Sequence, residues 1–235
     1  MKKFLTLFAI ASCAVTVANA AVTTPGANTA VISSQFNLPL VESRTELDES
    51  YFLDLFDSSI GTLTSASIAF FGSATFNHSG TNKATKTQNS TLTSSTELIF
   101  STSLGALSGF MPAPLAFSAT SGKVSYASGQ TIAFGPFASS INSLSIDLSS
   151  ILDSLQSNGG GNFNVSCESV SDFQLKGGGG NINTTQETTA GCGAQITYVY
   201  NAAPPSSTVP EPGSFALMGF ALAGMGVVRR KVNKG

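Results

Sequence analysis

Charge is scarce in this chain, and residue types that often carry chemistry are nearly missing. Only 10% of the 235 residues are charged, whereas soluble domains average about 25%. There is no tryptophan, one histidine and three cysteines. Between Ala21 and Thr208 there are 5 basic and 12 acidic residues, a net charge of −7. A body with this charge is a poor electrostatic partner for nucleic acid, so we expect no nucleic-acid-binding function.

The single histidine, His78, leaves little basis for a catalytic triad or a metal site. It lies in the stretch Asn77–Asn82, which we predict to be a solvated turn. Since few soft ligands remain and no glycine run forms a nucleotide-binding motif, we predict no metal and no cofactor.

Two pairs of carboxylates are nominal candidates for glycoside hydrolysis, which needs two acids flanking the scissile bond. They are Asp54 with Asp57, and Asp147 with Asp153. Spacing along the chain does not show that either pair meets in space. Turn or solvent roles explain them better, and we therefore predict a protein that is not an enzyme.

The first 20 residues have the pattern of a signal peptide. Lys2 and Lys3 precede an apolar stretch from Phe4 to Val17. Ala18, Asn19 and Ala20 then give the small-x-small pattern of a cleavage site before Ala21. We predict that cleavage leaves a flexible leader over residues 21–30.

The C-terminal stretch has three parts in order. Val209, Pro210, Glu211 and Pro212 form a proline-flanked acid, which cannot continue a helix or a central strand. Residues 214–228 form an uncharged apolar run, and Arg229, Arg230 and Lys231 end it. As a helix this run spans roughly 22 Å, which is short for a hydrocarbon core of about 30 Å. The positive-inside rule keeps the basic cluster cytoplasmic, so the body lies on the opposite side of the membrane from the cytoplasm.

This arrangement resembles the PEP-CTERM sorting signal of Gram-negative bacteria, and Pro210-Glu211-Pro212 matches its namesake motif. The resemblance implies recognition by an exosortase, transient membrane anchoring, and export to the cell surface or to an exopolysaccharide-rich extracellular matrix. An ordinary C-terminal anchor that stays in place is the alternative. The resemblance covers about 25 residues and concerns location rather than activity.

The cysteines predict one disulfide in the exported protein. Cys13 leaves with the signal peptide, so Cys167 and Cys192 remain as a pair in an oxidising compartment. Their disulfide closes a loop of about 26 residues, whereas a metal pair would need further soft ligands. In the alternative of a lipoprotein, Ile10-Ala11-Ser12 before Cys13 is a lipid-attachment box, but this anchor would duplicate the C-terminal one.

Residues 31–201 have the composition of an antiparallel β domain. Runs rich in Ser, Thr, Ile and Phe alternate with turn signals about every 8 to 15 residues, without a helix-period segment of useful length. The cleanest period-two run places Leu144, Ile146 and Leu148 on one face. We therefore predict an all-β fold, a single antiparallel β-sandwich domain. The predicted strands fall within Val31–Val41, Thr62–Phe76, Lys83–Ser103, Lys123–Tyr126, Thr131–Phe137, Ile141–Leu148 and Gln195–Tyr200.

Two segments, Leu55 to Leu63 and Ile196 to Tyr200, resemble the choice-of-anchor E domain family. Members of that family join one extracellular β-rich domain to various surface-anchoring tails. The resemblance therefore implies fold and location, and no defined biochemical activity. Relative to it, we expect the glycine-rich segment from Gly159 to Gly193 to be an insertion.

Two kinds of binding site remain open. Glu42, Glu46, Asp48 and Glu49 offer hard oxygen ligands for calcium, but their spacing matches no known loop, and a solvated connector is the simpler prediction. Glycan binding by exposed aromatic rings suits an extracellular sandwich. However, the 17 phenylalanines are explained more simply as core residues.

The sequence thus predicts an exported, non-enzymatic surface or matrix protein. Its expected partners are an exosortase, the membrane, and exopolysaccharide or matrix proteins. The alternative function is a secreted lectin-like glycan-binding module or a glycan hydrolase. The predicted parts are the signal peptide 1–20, the leader 21–30, the sandwich 31–201, a Pro/Ser spacer 202–208, and the sorting signal 209–235 with its membrane segment 214–228.

Overall fold

A computed structural model describes residues 29–142 and 145–204 of the chain. Numbered along the sequence, the strands are β1 (Thr29–Phe36), β2 (Ser43–Arg44), β3 (Asp48–Asp54), β4 (Phe56–Asp57), β5 (Gly61–Asn82), β6 (Gln88–Thr102), β7 (Leu115–Thr120), β8 (Val124–Tyr126), β9 (Thr131–Asn142), β10 (Ile146–Asp147), β11 (Gln156–Ser157), β12 (Asn162–Gly177) and β13 (Ile182–Ala202). Short 3-10 helices span Gly105–Phe110, Ser149–Leu155 and Gly178–Gly180. The compact unit that contains these elements ends at Ala203.

The strands form two antiparallel sheets and a short parallel pair. The first sheet has the order β1-β13-β5-β10, with β2 also paired to β13 and β9 to β5. The second sheet has the order β3-β12-β6-β7, with β8 also paired to β6. Strands β4 and β11 form the parallel pair. The prediction of a mostly β body with antiparallel sheets is confirmed.

Alternating burial along each strand explains why the sequence forms two layers. In β6, Leu98 and Phe100 are buried, whereas Glu97 and Ile99 face outward. Successive strand residues point to opposite faces, so this period of two places one face in the core. The two buried faces meet, and the rings of Phe70 on β5 and Phe100 on β6 lie 4.8 Å apart. Each large apolar side chain buried in this way contributes about 1.5–3 kcal/mol.

Strands β12 and β13 lie inside the two sheets, one in each, and the turn Gly178–Gly180 connects them. Gly177 to Gly180 all have positive φ, which glycine adopts without the strain of a Cβ. Cys167 on β12 and Cys192 on β13 are fully buried and form a disulfide, with their Cα atoms 6.6 Å apart. The disulfide predicted from the sequence is therefore present, and it ties the two sheets together through the core.

Gly72 allows the sheets to approach each other beside this disulfide. It lies directly across from Cys192 in the β5–β13 ladder. A Cβ at this position would lie 2.8 Å from Cδ1 of Leu98 and 3.1 Å from the ring of Phe117. The absence of a side chain at Gly72 is thus what makes room for two core residues of the second sheet.

The chain after β1 crosses the outer face of β13. Asn37, with a φ of 48°, donates from Nδ2 to the carbonyl oxygen of Cys192 at 2.7 Å, and its Oδ1 accepts from the Val41 N–H at 3.1 Å. Gly191 lies beneath this loop, where a Cβ would be 2.6 Å from the carbonyl oxygen of Val41. The first strand therefore ends at Phe36, earlier than predicted, because the chain turns onto the sheet.

The predicted turn at Asn77–Asn82 is wrong, because these residues complete strand β5. His78 and Gly80 continue the inward-facing positions of β5. Tyr126 packs directly against Gly80 and leaves no room for a side chain there. A Cβ on Gly80 would lie 2.7 Å from Oη of that tyrosine. Polar composition at the outward positions, such as Asn77, concealed the continuing alternation.

The segment from Gly159 to Gly193, predicted to be an insertion, forms part of the core of the fold. This segment contains all of β12 and the first half of β13, the strands that carry the disulfide. In the described part of the predicted period-two run, residues 145–148, the strand β10 has two residues, and a 3-10 helix begins at Ser149.

Candidate functional site

The outer face of the second sheet exposes one aromatic ring beside hydroxyl and amide groups. Phe52 on β3 is 60% exposed, contrary to the prediction that the phenylalanines are core residues. Asn164 lies directly across from it in the β3–β12 ladder. The hydroxyls of Ser50 and Ser166 lie 3.0 and 2.9 Å from Oδ1 of Asn164 and 2.7 Å from each other. We call these four residues the Phe52 surface.

The Phe52 surface has the groups that a sugar ring needs. An exposed aromatic ring offers an apolar face for stacking, and hydroxyl and amide groups can bond the sugar's edges. Within the described residues, nothing accepts a hydrogen bond from Nδ2 of Asn164, so this donor is available. Sequence reasoning missed the site because Phe52 has the same local pattern as the buried Leu53 and Phe56. The side of the sheet that faces solvent depends on pairing with distant strands.

The same face of the sheet carries negative charge. Asp48 and Glu168 are directly opposite each other in the β3–β12 ladder, and both are exposed. Glu97 on β6 and Asp172 on β12 point the same way. Like charges across a sheet repel, so this face disfavours an anionic partner.

A cleft of about 170 Å³ lies at the edge of β1, beside β3 and β4. Ile32 and Phe56 contribute apolar surface to it. Oγ of Ser34 donates to Oδ2 of Asp54 at 2.9 Å and accepts from the backbone N–H of Asp54 at 3.1 Å. The Tyr198 hydroxyl donates to the carbonyl oxygen of Asp54 at 2.7 Å, and burial raises the pKa of this phenol. These polar groups already bond each other and hold β1 against β3.

One aspartate of each carboxylate pair considered for glycoside hydrolysis has a lowered pKa. Asp54 and Asp57 do line the same cleft. However, hydrogen bonds from Ser59 hold the pKa of Asp57 below its usual value. Hydrogen bonds from Ser149 likewise lower the pKa of Asp147. A glycosidase's general acid needs a raised pKa to protonate the leaving group, so Asp57 and Asp147 do not suit that role, and each holds a turn instead.

His78 is buried between the sheets, so the prediction that it lies in a solvated turn is wrong. It is 3% exposed, and its Nε2 lies 2.7 Å from Oγ of Ser94 on β6. The rings of Phe137 and Phe173 each lie 6.0 Å from the imidazole, and burial lowers its pKa. No described residue bonds Nδ1. Ser94 and His78 are within hydrogen-bond distance, as in a catalytic triad. Among the described residues, however, no acid orients the histidine, and its burial leaves no access for a substrate. The pair is therefore a core hydrogen bond between the sheets.

The acid-rich stretch does not converge on a cation site. Glu42 accepts from Oγ1 of Thr189 at 2.7 Å, and Glu49 accepts from the Tyr51 hydroxyl. Arg44 in the same stretch pairs with a glutamate on β13 at 3.0 Å. Within residues 29–142 and 145–204, no three acidic, histidine or cysteine side chains are grouped to hold a metal ion.

The predicted addressing segments lie outside the described residues. They are the cleavage site at Ala18, Ala20 and Ala21, the acid motif Val209, Pro210, Glu211 and Pro212, and the basic cluster Arg229, Arg230 and Lys231. In the part of the chain that the structure does describe, no helix is long and apolar enough to cross a membrane.

Comparison with known protein families bears on the C-terminal segment. Residues 208–231 match the PEP-CTERM protein-sorting motif. The match spans the proline-flanked acid, the apolar run and the basic cluster, so the sorting signal predicted from these residues is supported. The PEP-CTERM motif implies export, processing by an exosortase and a transient C-terminal membrane anchor.

No curated protein matches the chain. Two solved structures of infectious bursal disease virus, from the Gx and Gt strains, are similar at 8% and 12% sequence identity, with TM-scores of 0.20 and 0.15. The alignments cover 82% and 83% of this chain and 43% and 47% of the viral chains, so the chain spans less than half of their length. Similarity at this level carries no argument about fold or function.

Proposed function

We propose that this chain is an exported, non-enzymatic protein of the cell surface or extracellular matrix, sorted by an exosortase and associated with exopolysaccharide. The observation that carries the proposal is the PEP-CTERM motif at residues 208–231. The buried Cys167–Cys192 disulfide supports it, because such bonds persist in oxidising compartments outside the cytosol. We also propose that the two sheets form a single sandwich domain of the choice-of-anchor E type.

The Phe52 surface supports polysaccharide as the partner of the body. It joins an exposed ring to an unused amide donor and two hydroxyls. Asp48 and Glu168 on the same face favour neutral or amino sugars over chains rich in uronic acid.

A secreted lectin-like module is the second candidate, and the same surface favours it. The two roles differ in what holds the protein at the cell surface. A structural protein is retained by sorting even without its sugar contact, whereas a lectin-like module depends on that contact. A hydrolase is the least supported alternative, since Asp57 and Asp147, whose pKa values are lowered, do not suit the role of general acid.

Intact-mass measurement of the protein released from its own cells tests the sorting proposal. We expect the mature chain to lack the segment after about Pro210, and to keep it in cells without the exosortase. An unprocessed C-terminus in normal cells would support a permanent anchor instead.

Co-sedimentation with the cells' own polysaccharide tests the sugar partner. We expect Phe52→Ala to weaken binding by about tenfold, since aromatic contacts contribute roughly 0.5–1.5 kcal/mol beyond area burial. Val41→Ala is the matched control, because Val41 is 70% exposed but lies in the loop over the first sheet. Equal binding by both variants would remove the Phe52 surface from the proposal, and release of reducing ends would remove the non-enzymatic role.

A further inference from the structure

Strand β12 has a free edge over its second half. Strand β3 pairs with it from Asn162 to Glu168, whereas β6 pairs with its other side from Val165 to Gly177. Among the described residues, no strand lies against the β3 side of β12 beyond Glu168. An edge of this kind presents unpaired backbone groups to any extended chain that fits it.

The backbone groups that face this edge are set by the ladder. The carbonyl of Asn164 accepts from Ser103 on the β6 side, whereas the N–H of Ser169 donates to Leu47 on the opposite side. Backbone groups alternate in direction along a strand. The N–H and C=O groups of the odd-numbered residues Phe173 and Leu175 therefore point to the free edge.

The even-numbered residues of this edge carry opposite charges four positions apart. Asp172, Gln174 and Lys176 are all exposed on the outer face. Neither Asp172 nor Lys176 forms an ion pair within the described part of the chain. An antiparallel strand with the same sequence, centred on Gln174, places each Asp172 opposite the other copy's Lys176.

We propose that two copies of this protein associate through the free edge of β12, antiparallel, with Gln174 opposite its own counterpart. The pairing is a two-fold, self-complementary contact, the usual form of a homodimer interface. It joins the second sheets of the two copies into one continuous sheet. It goes beyond the proposed function and does not depend on a sugar partner.

The register satisfies both the backbone and the side chains. Phe173 of each copy lies opposite Leu175 of the other, and these residues carry the free N–H and C=O groups, so each such pair exchanges two hydrogen bonds. The charged residues then occupy the non-hydrogen-bonded pairs, where side chains approach most closely.

Charge favours this register over its neighbours. Centring the pair on Phe173 sets Asp172 opposite Gln174, and centring it on Leu175 sets Lys176 opposite Gln174, so neither of these registers pairs the two charges. Centring it on Asp172 or on Lys176 sets like charges directly opposite each other, which destabilises a ladder, so charge favours the register centred on Gln174. A single strand pair is small beside the roughly 1,200–2,000 Å² of stable interfaces. We therefore expect association that depends on concentration.

Cysteine cross-linking of the exported, processed protein tests the geometry. In the proposed register, Gln174→Cys places the two new cysteines directly opposite each other, with their Cα atoms about 4.5 Å apart. Val170→Cys is the control, because Val170 is uncharged and exposed on the same face, and its two copies are separated by eight residues, or about 27 Å along the strand. We expect at least tenfold more covalent dimer from Q174C under mild oxidation. Equal yields, or none from Q174C, would overturn the proposal.

Charge exchange tests the contact without a new cysteine. We expect Asp172→Lys and Lys176→Asp each to weaken dimerisation about tenfold in sedimentation analysis, and the double exchange D172K/K176D to restore it to within about threefold. Lys83→Asp, an exposed charge after β5, should change little. A dimer that is indifferent to the single exchanges, or a protein that stays monomeric at millimolar concentration, would contradict the register.

Discussion

Replacing both Cys167 and Cys192 by alanine is expected to lower the free energy of unfolding by about 3.5 kcal/mol. The two residues are 25 positions apart, and the chain-entropy relation gives about that value for a loop of this length. Both side chains are fully buried between β12 and β13, so the change acts on the centre of the fold. Removing two buried sulfur atoms also leaves a cavity in the core, so the value of about 3.5 kcal/mol is a lower bound.

Urea denaturation followed by circular dichroism measures the effect. With a slope of about 2 kcal/mol per molar urea, the unfolding midpoint should fall by nearly 2 M. The unmodified protein, unfolded with and without reducing agent, is the matched control because its sequence is unchanged. A difference below about 1 kcal/mol in both comparisons would refute the reasoning, as would thiol labelling of Cys167 in the folded protein.

Two further predictions concern the core. Burial lowers the pKa of His78, so the unfolded chain takes up a proton at a higher pH than the folded protein does. The stability present above about pH 6.5 should therefore decline as the pH falls below that value. His78→Gln should remove that slope in urea titrations, and an unchanged slope would assign it elsewhere. Gly72→Ala should cost about 1–3 kcal/mol in thermal unfolding, because its Cβ meets Leu98 at 2.8 Å. Gly105→Ala, which meets nothing within 4 Å, should cost far less, and equal costs would contradict the packing argument.

The sequence-based prediction succeeded where composition determines the outcome. Ser/Thr-rich alternating runs and frequent turn signals predicted antiparallel sheets, and the cysteine count predicted the Cys167–Cys192 bond. The sorting signal was also predictable, because it is a linear motif whose parts are adjacent in the chain.

The prediction failed where a residue's environment comes from distant parts of the chain. Gly80 suggested a turn and Gly191 suggested part of an insertion, yet each lies inside a long strand where another segment passes close to it. Phe52 and Leu53 are adjacent and similar in hydrophobicity, but pairing with β12 turns one to solvent and the other to the core. The free edge of β12 was equally hidden, because it depends on where β3 ends.

The last strand of the body also has a mechanical consequence. A load applied at Ala202 and directed along β13 acts on a strand that is bonded to β1 on one side and to β5 on the other. Because antiparallel ladder bonds run across the strands, a load in this direction shears many of them together instead of breaking them one by one. Beyond Cys192 the tension passes through a covalent link into the opposite layer. A tether attached here therefore draws on both layers to resist drag.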